Sequence, residues 1–291
     1  MTTATDTLRP RDSAPASLDG IRLSFIGLLR SEWIKLRSLR STVWCLALVI
    51  LLSVGFSALI AGVRTLQHAS AISAADAAPT LVSATTIGVN FTQLVAAVLG
   101  VLVISGEYGT GMIRSTFTAA PGRLGAYFAK LIVLAVVVFV VGVVSLGISG
   151  IVATVLFNAR GLNADLASWD VILPIIGGAA YLALVAMLAF TFGAIIRSSA
   201  GGIAAALGTL LVLPVALRIV AGLTSAQWVS NVASFLPSEA GGQIYAYTPA
   251  HPAPVPSGAV ALDALQGGLV LVAWVVIGLV VGAVLVKRRD V

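Results

Sequence analysis

The stretch VSATTIGVNFTQLVAAVLGVLVI (Val82–Ile104) runs for 23 residues without a charged side chain, and SGEYGTGMIRSTFTAAPGR (Ser105–Arg123) follows directly. About 20 apolar residues in a helix cross the hydrocarbon of a bilayer. The first stretch is therefore long enough to span a membrane. Its apolar residues are continuous rather than alternating, which speaks against a membrane β-strand. Glu107 stands where this run leaves lipid, so its charge is inexpensive there.

Five more runs have the same character: Val43–Val63, Leu131–Phe157, Val171–Ile196, Ile203–Leu223 and Leu265–Val286. Together they predict an all-α integral membrane protein with six transmembrane helices. Composition agrees. The 291 residues are 59% hydrophobic and 10% charged, against about 25% charged in soluble domains. Small residues in the runs (Gly142, Gly147 and Gly150; Gly201, Gly202 and Gly208) let helices approach closely. The single cysteine, Cys45, lies in an apolar run and reads as a small buried hydrophobe. Residues 1–20 are polar and read as a disordered cytoplasmic tail, which leaves 21–291 as one six-span domain.

Basic residues set the orientation. With both termini in the cytoplasm, the inner segments hold fourteen of the seventeen Lys and Arg, leaving Arg64, Arg160 and Arg218 outside. Acids show no such bias, as the positive-inside rule expects. The net charge of +6 is thus placed on cytoplasmic segments facing the membrane, and no nucleic-acid partner is inferred.

Two cytoplasmic segments stand out. Ile21–Thr42 (IRLSFIGLLRSEWIKLRSLRST) puts Ile21, Phe25, Leu28, Leu29, Leu36 and Leu39 on one helical face. Arg22, Arg30, Arg37 and Arg40 fall on an adjacent one. This predicts an amphipathic helix in the inner membrane interface, either only orienting the first span or also touching a cytoplasmic partner. Arg30, Glu32, Trp33, Lys35 and Arg37 are its candidate residues. In the loop between the second and third spans, Glu107–Thr118 reads as a short helix, with Glu107 at its dipole-positive start. Gly106, Gly109 and Gly111 permit tight backbone geometry beside it. Ala119–Gly122 reads as a turn, and a second helix runs from about Arg123 into the third span. The segment is predicted to form a cytoplasmic elbow.

SEWIKLRSLRST (Ser31–Thr42) leading into a first span, and ISGEYGTGMIRSTFTAAPGR (Ile104–Arg123) after the second, resemble the membrane-spanning permease of bacterial ABC transporters of the type-2 exporter class. The compact permeases of actinobacteria are especially similar. The six-span layout matches along the chain beyond the tail. The resemblance implies that Gly106–Arg123 forms a coupling helix docking on a separate ATPase, with Gly106, Glu107, Tyr108, Met112, Arg114 and Arg123 as coupling residues. It implies a bacterial plasma-membrane location. It also implies a working unit of two ATPase copies and two permease chains, identical or different.

The chain itself carries no motor. A phosphate-binding loop ends in Lys-Ser or Lys-Thr after a glycine-rich turn, and neither Lys35, Lys130 nor Lys287 has that context. No cofactor is expected on this chain, and ATP and magnesium belong on the partner ATPase. His68 and His251 fall in expected outer loops and no HExxH motif occurs, so neither metal nor acid–base chemistry is supported. The chain reads as a transport subunit, not an enzyme. An ATP-independent six-helix transporter or channel, and a non-transporting anchor or sensor of the same fold, are the alternatives.

Within the second span, Thr86, Asn90 and Gln93 are expected on one face. Polar groups in lipid are costly and turn inward. They either make interhelical hydrogen bonds or line a translocation path or permease dimer interface. Arg218 is expected to snorkel to the outer interface. In the long outer stretch, Trp228, Val232 and Phe235 predict a short helix.

Overall fold

The computed structural model describes residues 24–68, 76–119, 122–161, 165–249 and 254–288, and helices are the only regular secondary structure among them beyond turns. The expected tail, Ala120 and Pro121 of the expected turn, and His251 lie outside these residues. The chain opens with α1 (Phe25–Ser38), whose first turn is capped by Ser24 Oγ accepting from the Gly27 N–H at 3.0 Å. Ser and its short side chain satisfy a helix N-terminal donor in this way. The expected helix over Ile21–Thr42 is interrupted. Leu39 is extended, and Ser38 Oγ donates to the Lys35 carbonyl, satisfying one open acceptor of the last turn. The chain then turns into α2 (Arg40–His68).

The second span is built from α3 (Ala77–Thr86) and α4 (Val89–Thr110), joined by a turn at Ile87–Gly88. After α5 (Met112–Ala119) come α6 (Leu124–Asn158) and α7 (Trp169–Ile196). The fifth span joins α8 (Ser199–Leu207), a π-helical turn at Gly208–Val212 and α9 (Leu213–Thr224). Pro214 lies just after the widened turn. A proline has no N–H to donate to the preceding turn, and a π-bulge absorbs that mismatch. Two short helices, α10 (Gln227–Ala233) and α11 (Pro237–Gly242), precede α12 (Ala264–Arg288). α10 is the short helix expected from Trp228 and Val232. α12 starts on a reciprocal cap: Asp263 Oδ1 accepts from the Gln266 N–H, and Gln266 Oε1 from the Asp263 N–H.

Six helical segments among the described residues are long and apolar enough to cross a membrane: Arg40–Leu66, Ala77–Thr110, Leu124–Asn158, Trp169–Ile196, Ser199–Thr224 and Ala264–Arg288. The six expected spans are all present. The second and third reach beyond their expected ends because Ser105–Thr110 and Leu124–Lys130 are helical, charges included.

The second, third and fourth spans form the centre and the others flank them. More than half of the apolar windows of the second and fourth spans are buried, against less than a quarter in the first, fifth and sixth. Lipid tails are as apolar as leucine, so close van der Waals contact, rather than escape from water, holds such helices together. Glycine supplies that contact. A Cβ at Gly100 of α4 would stand 2.2 Å from the Ala186 carbonyl oxygen of α7, and one at Gly142 of α6 would stand 2.9 Å from the Ala179 Cα. Gly150, Gly201 and Gly202 are similarly crowded, whereas Gly147 and Gly208 face open space and carry no such contact.

Gly100→Ala should therefore lower stability by about 1–3 kcal/mol, the usual cost of overpacking. Gly147→Ala should be neutral or slightly stabilising, since it adds helix propensity at no steric cost. Thermal melts of the purified chain in detergent measure both.

Candidate functional site

Where α1, α4 and α6 converge, two carboxylates and two ammonium groups interleave. Lys130 Nζ of α6 donates to Glu32 Oε2 of α1 at 2.5 Å and to Glu107 Oε1 of α4 at 2.8 Å. Lys35 Nζ of α1 donates to Glu32 Oε1 at 2.8 Å and to Glu107 Oε1 at 3.1 Å. Each lysine thus bridges both glutamates. Glu32, Glu107 and Lys130 are only 4–5% exposed. Lys35 is partly exposed. Its burial works to lower the ammonium pKa, but the Glu32 hydrogen bond and the charges of Glu107 and Glu32 outweigh that and raise it. The stability its pairing supplies is therefore complete below pH 10.5 and is lost only as pH rises through the elevated value. Lys35 is a permanent cation at physiological pH.

α5 joins the cluster through one hydroxyl. Thr116 Oγ1 accepts from Lys35 Nζ at 3.4 Å, and its one proton is within reach of the Met112 carbonyl at 3.3 Å and of Glu107 Oε2 at 3.5 Å. The sharp reversal that brings α5 back is made by Gly111, at φ 74°, a conformation glycine adopts without penalty. Ile113 of α5 is buried, while Met112, Arg114, Ser115 and Thr118 are exposed.

This geometry corrects the expectation for Glu107. It does not open the short helix. It lies in the last turn of α4, at the dipole-negative end, where helix electrostatics disfavour a carboxylate. The two lysines, not a helix N-terminus, stabilise its charge. Gly106 and Gly109 are helical rather than turn residues. Of the expected coupling residues, Glu107 is buried in the cluster, Gly106 faces open space and Met112 and Arg114 are exposed. Tyr108 is half-buried, with the Arg197 guanidinium 5.1 Å from its ring centroid. Arg123 occupies the N-cap position of α6 without a side-chain hydrogen bond to its first turn. In α1, Arg30, Trp33 and Arg37 are exposed, whereas Glu32 and Lys35 turn inward. Sequence reasoning missed Lys130 and Thr116 as site members. A lone cation inside the long apolar helix α6 was the available signal, because ionisable groups at such positions are usually paired.

Thr86, Asn90 and Gln93 do not share one environment. Gln93 is buried and its Oε1 accepts from the Tyr181 hydroxyl of α7. Thr86 is buried and donates to the Val82 carbonyl. Asn90 alone is exposed. Gln93 thus makes the interhelical hydrogen bond inside one chain. Arg218 is exposed but paired, with its Nη2 2.6 Å from Glu239 Oε1 and 2.7 Å from Oε2.

A cavity of about 630 Å³ lies against the charge cluster, walled by Leu36, Leu39, Leu102, Val103 and Val133.

Six spans, an amphipathic helix at one end and a buried ionic cluster joining it to the bundle define a multi-pass helical membrane protein. The family model described as ABC-2 family transporter protein matches residues 28–212, more than half of the chain. The chain belongs to that family, and is accordingly a membrane permease component of an ABC system. No curated protein matches it in sequence.

Removing one member of a buried ion cluster strands the others, at a cost of about 3–5 kcal/mol. Lys130→Met should show that loss in a thermal melt. Adding Glu107→Gln, which restores neutrality, should recover a large part of it.

Proposed function

We propose that the chain is the permease subunit of an ATP-driven exporter. In this reading it pairs with a second permease chain, identical or different, and with two copies of a separate ABC ATPase that binds ATP and magnesium. Both termini and α5 face the cytoplasm of a bacterial cell. The observation that carries the reading is the attachment of α5. Its exposed face, with Met112 and Arg114, offers a docking surface. Its inner side rests on Thr116, Ile113 and the ionic cluster.

A push on α5 has a physical route into the bundle. The cluster cannot be pulled apart without leaving a charge uncompensated in a poorly hydrated site. α1, α4 and α6 are thus tied at their ends and move together when α5 moves. α4 packs most extensively on α7, so displacement at the cluster reaches the centre of the bundle. Glu107 acts from inside, by holding α4 to α1 and α6, and the exposed α5 residues meet the ATPase. In this reading Asn90, exposed on the second span, lines a path between permease chains.

The test is reconstitution. The chain should co-purify with an ATPase encoded beside it and transport only when ATP is present. Arg114→Glu should lower ATP-dependent transport by roughly 5–150-fold, the usual range for energetic coupling between sites, with an unchanged melting temperature. ATP-independent transport would favour a secondary transporter or channel, and no transport would favour an anchor or sensor. Purification alone, with transport intact after Glu107 and Arg114 are replaced, would contradict the coupling role.

A further inference from the structure

The cavity beside the charge cluster shares Glu107 and Met112 with the coupling route, which gives the space itself no occupant. Its walls are mainly aliphatic, yet one end is formed by Glu32, Lys35, Glu107 and Lys130, and Ser38 and Ser41 of the α1–α2 corner also line it. It is partly open rather than enclosed. Its volume of about 630 Å³ falls within the usual range of ligand sites, roughly 300–1,000 Å³. An aliphatic cavity with a polar end suits an amphiphile, and the cavity lies at the end of the bundle where the amphipathic helix meets the first span.

Charge decides which amphiphile. The cluster holds two acids and two bases, each paired, and so presents no net charge. The corner is different. Arg37 and Arg40 flank the cavity-lining Ser38, Leu39 and Ser41 in sequence. Both are exposed, and neither is in an ion pair with a described residue. Both acids lining the cavity are already engaged by lysines. Neither arginine lines the cavity, but each is next in sequence to a residue that does, so two cations stand beside the apolar recess.

We propose that this cavity is a binding site for one anionic phospholipid of the leaflet that borders α1. Its acyl portion lies against Leu36, Leu39, Leu102, Val103 and Val133, and its phosphate is held at the corner by Arg37, Arg40 and the Ser41 hydroxyl. The bound lipid fills the space between the amphipathic helix and α4, and so supports the same corner that the ionic cluster ties from within. The site is independent of whether the chain works with an ATPase.

Gly106 offers a clean test. It lines the cavity, and a Cβ built there meets nothing within 4 Å, so Gly106→Phe blocks the space without forcing the backbone. The full chain is purified in neutral detergent, mixed with phosphatidylglycerol, phosphatidylcholine or inorganic phosphate, and examined by native mass spectrometry and thermal melting. The wild type should retain one phosphatidylglycerol per chain and melt higher with it. Phosphatidylcholine and free phosphate should do neither to the same extent. Gly106→Phe should melt as the wild type does without lipid and should lose both retention and the lipid-induced rise. Arg37→Gln with Arg40→Gln should bind phosphatidylglycerol roughly twenty-five-fold more weakly, at about fivefold per basic residue near an anionic surface. Equal retention of phosphatidylcholine by the wild type, or undiminished retention by Gly106→Phe, would overturn the proposal. If Gly106→Phe does not fold, Gly106→Val takes its place, and the wild-type headgroup comparison alone still decides.

Discussion

Two lysines bridging two glutamates hold the end of this molecule together. The charges come from α1, α4 and α6, which lie far apart in sequence, and three of the four are almost fully buried. Burying charge is expensive, and such a cluster adds little net stability over a well-packed apolar one. What it adds is exclusivity. Any arrangement of the three helices that separates one member strands a charge. The ends of α1, α4 and α6 are therefore held in one relative position, and α5 meets them at Thr116.

The rest of the fold follows a different physics. In the bundle interior, glycine and alanine allow α4, α6 and α7 to approach closely, and polar groups there bond within the chain, as Gln93 does to Tyr181. Coulomb and hydrogen-bond forces govern the end of the bundle. Shape governs its middle. A displacement applied at the end is thus transmitted by elements that neither compress nor separate readily, which is what a permease driven from outside the membrane requires.

Much of this was legible in the sequence. The length and continuity of the apolar runs are enough to require six helices. The arginine and leucine spacing in Ile21–Thr42 is enough to predict a helix there, which the structure has over Phe25–Ser38. Two features were not legible, for a common reason. Glu107 looked like a residue in a loop because it follows an apolar run and sits among glycines, yet Ser105–Thr110 continues the helix and only Gly111, with its positive φ, ends it. Lys130 looked like one more cytoplasmic cation because the apolar run begins after it, yet α6 begins six residues earlier and carries it inward. Charge at the edge of a span marks exposure only when nothing opposite neutralises it. That partner lies 23 residues away for Glu107–Lys130 and 98 for Glu32–Lys130. Spacing within either segment holds no trace of it.

The central claim is that α5 and the helices it rests on move as one body. Spin labels at Arg30 of α1 and Ser115 of α5, both exposed, report on it directly through pulsed dipolar distance measurements in the complex with its ATPase. The account predicts the same label-to-label distance with and without ATP, while distances from either label to the C-terminal end of α9 change. A shift of α5 relative to α1 on adding ATP would contradict it.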